Sequence, residues 1–119
     1  MTTETIELLE AELRASYPAA IAATDAGRRL IQLPQIHFPA GCNPETGSAL
    51  VILDPTTPKP DLYLTKVPTL PSGNQVSIGT LTLAGQTWQS FSFNVTWEEG
   101  KHTAIQFVEG KLARLRRGS

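Results

Sequence analysis

The stretch Ser48-Ala49-Leu50-Val51-Ile52-Leu53-Asp54-Pro55-Thr56-Thr57-Pro58-Lys59-Pro60 decides the fold. Leu50, Val51, Ile52 and Leu53 form a near-continuous apolar run, as expected of a central strand buried on both faces. The three prolines that follow lack backbone amide hydrogens, so residues 55–60 form neither helix nor sheet ladder. They read as a stiff, extended turn. Leu62, Tyr63 and Leu64 then begin another strand.

Upstream, weakly apolar residues 20–24 and the run from Arg28 to Leu33 flank Asp25-Ala26-Gly27. Gly27 is free to take a positive φ, so the two segments read as a hairpin. Pro34, Pro39, Gly41 and Pro44 mark an irregular crossing into the central strand. Residues 3–16 read as a helix: Ile6, Leu9 and Leu13 recur at helical spacing, and Tyr17 is next in line. Thr3 is the expected cap, Glu4 and Glu7 suit the positive end of the helix dipole, and Pro18 ends the helix.

Downstream, residues 67–100 are rich in turn residues and read as a long loop, with room for a local hairpin at Val76, Ile78, Leu81 and Leu83. Trp88 to Phe93 alternates aromatic and polar residues. A helix is expected over residues 103–116, with Ile105, Val108, Leu112 and Leu115 on one face. Gly110 within it costs about 1 kcal/mol relative to alanine and marks a close approach. The expected architecture is one α+β domain over residues 1–119. It has a helix, a four-stranded antiparallel meander within residues 20–66, a long loop and a closing helix.

The composition fits this class. The 119 residues include 10 Lys and Arg against 11 Asp and Glu, a net charge of −1, which argues against bulk electrostatic binding to nucleic acid. Lys111, Arg114, Arg116 and Arg117 cluster at the end of the last helix, where cations favour the dipole; a weak site for an anionic partner is the minor alternative. No window approaches the roughly 18 uninterrupted apolar residues of a membrane span. The chain opens without a signal-peptide pattern. Cys42 stands alone, so no internal disulfide forms, and a cytoplasmic, reducing compartment is expected.

Three motifs recur in a meaningful order. Phe38-Pro39-Ala40-Gly41-Cys42 precedes the central strand. The proline-rich turn at Pro55 to Pro58 leads into Pro60-Asp61 before the next strand. Gly85 is followed by Trp88-Gln89-Ser90-Phe91-Ser92-Phe93-Asn94 and then by Trp97-Glu98-Glu99-Gly100. Together with the order of elements, these resemble a divergent prokaryotic branch of the ubiquitin-conjugating (UBC-like) superfamily. That branch is found beside ubiquitin-like proteins, ThiF-type activating enzymes and JAB-type peptidases. The resemblance implies a UBC-like fold, and a ubiquitin-like protein and a ThiF-type activating enzyme as partners. Where the branch tends to carry Arg, Arg and His, this chain has Ser90, Phe93 and Asn94, and Cys42 corresponds to a tyrosine of the branch.

A conjugating enzyme needs a thiolate that accepts an acyl group. By the resemblance that cysteine follows the fourth strand, with His-Pro-Asn just before it. Residues 65–97 hold no cysteine, and His-Pro-Asn occurs nowhere. The expected role is therefore a non-catalytic pathway component. Two alternatives stand beside it: an unorthodox acyl carrier using Cys42, and a binding module for an unrelated protein. Expected partner-binding residues are Trp88, Gln89, Phe91, Phe93 and Trp97, with Pro58 and Lys59 of the turn. The ordinary reading of the aromatic block is core packing. His37 has apolar neighbours and reads as structural. His102 reads as a local surface or capping contact. No metal-ligand spacing and no phosphate-binding loop is present, so neither metal nor cofactor is expected.

Overall fold

The structure is a computed structural model that describes residues 1–71, 73, 78–83, 85–91 and 95–117. Two helices, α1 (Thr3–Ser16) and α2 (Ala104–Arg117), accompany six strands: β1 (Ile21–Asp25), β2 (Arg28–His37), β3 (Thr46–Leu53), β4 (Asp61–Leu64), β5 (Ile78–Leu83) and β6 (Gln86–Phe91). The strands form one antiparallel sheet in the order β1-β2-β3-β4-β6-β5. The fold is α+β.

The sheet corrects the expectation of four strands. Residues 78–91, expected within a long loop, supply a paired hairpin. Thr80, Leu81, Thr82 and Leu83 alternate with the pleat, and Gly85 takes φ +75° in the turn. Val76, the first residue of the suspected local hairpin, lies outside the described residues. The hairpin joins the sheet narrowly, with Leu64 opposite Gln89 as its register point on β4.

β2 also runs further than expected. Pro34 lies inside it, at an irregularity between Leu33 and Ile36 where Gln35 takes φ +58°. β1 pairs β2 only as far as Gln32, so the missing proline amide breaks no bond to β1. The cap of α1 is Thr2 rather than Thr3: its Oγ1 accepts from the Thr5 amide at 3.1 Å.

β3 explains its own apolar run. Ala49, Val51 and Leu53 join the core beneath the helices, while Leu50 and Ile52 join a second cluster with Leu30, Leu83 and Trp88. On the helix face, Leu9 and Leu13 of α1 meet Val108, Leu112 and Leu115 of α2 over the strands. A capping box opens α2. Thr103 Oγ1 accepts from the Gln106 amide at 3.1 Å, and Gln106 Oε1 accepts from the Thr103 amide at 2.7 Å. Glu12 Oε1 accepts from the Ala104 amide at 2.9 Å, tying α1 to the start of α2. A Cβ at Gly110 would lie 3.1 Å from Val95, the close approach its position implied.

Candidate functional site

The β3–β4 turn is held by its own polar groups. Asp54 Oδ1 accepts from both the amide and the hydroxyl of Thr56, at 2.8 and 2.7 Å. The Thr57 hydroxyl donates to the Lys59 carbonyl at 3.1 Å. The N-terminal ammonium donates to the carbonyls of Pro55 and Thr57, at 3.1 and 2.7 Å. Prolines that cannot join a ladder thus become a fixed wall, which carries Lys59 at its end.

Beside this wall lies a cleft of about 360 Å³. Arg28 of β2, Ile52 of β3, Asp61 and Tyr63 of β4, Leu81 of β5, and Phe107 and Lys111 of α2 all reach it. Asp54, Lys59 and Val95 line it too. It is the place where the turn, the β5–β6 hairpin and α2 converge. Its lining combines apolar side chains with charges of both signs.

Charged groups of both signs line the cleft. Arg28 Nη2 bonds Asp25 at 3.2 Å and also lies within the field of Asp54. The hydrogen bonds from Thr56, aided by the Arg28 charge, hold the Asp54 carboxyl below its usual range. Asp61 Oδ1 accepts from the Leu62 amide at 2.9 Å. Burial raises the Tyr63 hydroxyl, and the charge of Asp61 and a hydrogen bond to it push the same way. Lys111 is half-buried, with its amine 5.1 Å from the centre of the Phe91 ring. Burial pushes its pKa down; Asp61 opposes that shift and the Lys59 charge adds to it.

Cys42 lies elsewhere. It is 3% exposed within the helix-face core, and burial pushes its thiol up, away from the thiolate a nucleophile needs. Its amide donates to the Pro39 carbonyl at 3.2 Å. His37 is exposed at the end of β2. His102 Nδ1 accepts from the Glu98 amide at 2.9 Å, a local surface contact. No group of three or more His, Cys, Asp or Glu side chains that could hold a metal occurs among the described residues.

The aromatic block divides. Trp88 is buried in the second cluster, whereas Phe91 and Trp97 are buried in the helix-face core. Trp97 Nε1 donates to the Thr103 carbonyl at 2.9 Å. Gln89 Oε1 accepts from the Val67 amide at 2.7 Å, which fixes the segment after β4. Phe93 lies outside the described residues. Pro58 is exposed on the turn, and among the described residues Lys59 alone of those expected lines the cleft.

Arg28, Asp54, Asp61 and Tyr63 carry no site signal in the sequence, and Lys111 reads only as a member of the terminal basic cluster. One signal was available: Lys111 stands four residues after Phe107, so a cation borders the apolar face of α2. The chain matches no family model, no curated protein and no solved structure.

Proposed function

We propose that this chain is a non-catalytic, UBC-like component of a bacterial ubiquitin-like protein modification pathway, and that the cleft beside the β3–β4 turn is the surface it presents. It binds the ubiquitin-like protein, its ThiF-type activating enzyme, or both, in the cytoplasm. The pathway comes from the resemblance of the motif order; fold alone would not give it. The observation that carries the non-catalytic part is the burial of Cys42, the only thiol in the chain. An acyl relay needs a thiolate open to a flexible acyl donor, and this sulfur is enclosed by core residues.

The test uses the full chain with the ubiquitin-like protein and activating enzyme encoded beside its gene. Binding measured by calorimetry should survive Cys42→Ala and weaken with Lys59→Glu. With the activating enzyme and ATP, no thiol-reducible adduct should form on the parent chain. An adduct lost on Cys42→Ala would establish the acyl-carrier reading instead. Failure to bind either protein would leave a module for an unrelated partner.

A further inference from the structure

We infer that the cavity between the β1–β2 hairpin and β6 binds a small neutral carbonyl compound. Its aliphatic part rests on Leu30, Leu50 and the Trp88 ring, and its carbonyl oxygen accepts from Trp88 Nε1. This goes beyond the pathway reading and depends neither on it nor on the cleft beside the turn.

The cavity exists because the sheet coils. In strand order, β2, β3 and β4 separate β1 from β6. Ile21 and Ala23 of β1 nevertheless share one cavity with Gln86 and Trp88 of β6. Twist accumulated over successive strands brings these distant positions of one face together. Leu30 and Leu50 line the same space and are buried, although no helix residue joins their cluster among the described residues. The mouth is marked by Ile21, which is 60% exposed, and by exposed Gln86.

The chemistry of the ligand follows from what the lining holds and lacks. Trp88 is 2% exposed, and its Nε1 has no hydrogen-bond partner among the described residues. A buried donor without an acceptor is costly, and the ring that carries it borders free space which an acceptor can enter. Trp97 is the contrast: its indole is also buried, but donates to the Thr103 carbonyl at 2.9 Å. No charged side chain lines the cavity among the described residues. An ion would lose its water there without a counter-charge, so the ligand is neutral. The side-chain amides of Gln32 and Gln86 both donate and accept, which suits a polar but uncharged molecule. The volume is about 100 Å³. A cavity of roughly 150 Å³ holds a benzene ring, so about five non-hydrogen atoms fit inside.

A carbonyl beside a compact aliphatic group makes cyclopentanone the probe. Methylenecyclopentane has the same shape without a carbonyl oxygen, and cyclobutanecarboxylate carries a charge at similar size. The full chain has two tryptophans, so two indole N–H resonances report on binding. Cyclopentanone should move the Trp88 signal downfield, saturably, and leave the Trp97 signal in place. The alkene should not produce that downfield shift. Backbone amide shifts of the lining residues give the affinities. The preference for ketone over alkene should fall about fivefold in Trp88→Phe, the size of one net hydrogen bond. Ala23→Phe is the second variant. Ala23 is exposed and outside both core clusters, so this change keeps the fold, fills the mouth and should weaken ketone binding about tenfold.

A Trp88 signal that stays in place with cyclopentanone overturns the inference. So does a ketone preference unchanged in Trp88→Phe, ketone binding undiminished in Ala23→Phe, or equal affinity for the carboxylate. N-acetyl-valine methylamide presents the same carbonyl chemistry on a peptide backbone. If it binds more tightly than cyclopentanone, the cavity is a peptide pocket and the small-molecule assignment falls.

Discussion

The two faces of the sheet use the same strands to different depths. Beneath the helices, Leu9, Leu13, Ile31, Leu33, Leu53, Leu62, Leu64 and Leu115 are all fully buried. No member of the opposite cluster, Leu30, Leu50, Ile52, Leu83 and Trp88, is so completely enclosed. The opposite cluster also holds a cost, because the buried Trp88 Nε1 has no hydrogen-bond partner among the described residues. The helix face therefore carries the larger share of the burial energy, and the opposite face is a shallower second layer. The cleft sits where the layers meet, taking Ile52, Tyr63 and Leu81 from one and Phe107 from the other. A rigid core on one side and an incomplete one on the other is an arrangement that can hold a binding surface in place and still leave it open.

The largest test of that contrast is a pair of truncations. Leu64→Ala on the helix face should cost several kcal/mol, within the roughly 2–5 kcal/mol range of buried leucine truncations. Leu83→Ala, on the edge strand, should fall at or below about 2 kcal/mol, because an edge can relax into the space left behind. Urea denaturation gives both values. Equal losses would erase the distinction between the faces.

The next effect concerns how α2 is seated on the deep face. Thr103→Ala removes half of the capping box and should cost about 1 kcal/mol. The loss should stay moderate because Glu12 still accepts from the Ala104 amide. The double change Thr103→Ala with Glu12→Ala separates the contributions. A Thr103→Ala variant as stable as the parent would mean that the tie to α1, and not the box, sets the start of α2.

A smaller effect should appear with pH. Arg29 of β2 holds the Glu10 carboxylate of α1 through Nε and Nη2, at 2.5 and 3.2 Å. That hydrogen bonding holds the Glu10 pKa below its usual value, against the opposing effect of burial. A depressed folded pKa contributes stability above the unfolded value, and the contribution is lost as pH falls through the folded pKa. The parent should therefore exceed Glu10→Gln in stability near neutral pH, and the gap should close on acidification below the ordinary glutamate range. A gap that persists at low pH would show that Glu10 acts by packing alone. Thermal melts of both proteins across that range decide it.

The deep face was legible in the sequence because its signals are local. The spacing of Leu9 and Leu13, Val51 and Leu53 within the apolar run of β3, and the stripe of Val108, Leu112 and Leu115 each appear within one window. The hairpin of β5 and β6 was harder to read. Its alternation is carried by Thr80, Thr82, Gln86 and Thr87 as much as by Leu81 and Leu83, and glycines interrupt it. Pro34 hid the second half of β2 because a bulge, invisible in sequence, accommodates it. The cleft was the least legible part. Lys59 is legible in the turn and Lys111 only as part of a terminal basic cluster, since Arg28, Asp61 and Lys111 are far apart in sequence and come together through the pairing of β2, β3 and β4 and the seating of α2.

The smallest effect tests whether the exposed edge shares the cooperative unit of the deep face. β1 pairs β2 through a two-residue turn in which Ala26 has φ +50° and Gly27 φ +81°. Positive φ at both central positions is the turn that suits a twisted hairpin, and it favours Asn-Gly over Ala-Gly. Alanine carries a Cβ penalty there that asparagine offsets with its local hydrogen bonding. Ala26→Asn should therefore stabilise the hairpin by about 0.5 kcal/mol. Most of β1 is exposed, so the turn contributes more than side-chain packing does to its attachment. If β1 unfolds together with the core, the gain will appear as a higher urea midpoint. If it appears only as slower amide exchange in residues 21–32, the edge opens independently, and the cooperative unit is confined to the strands beneath the helices.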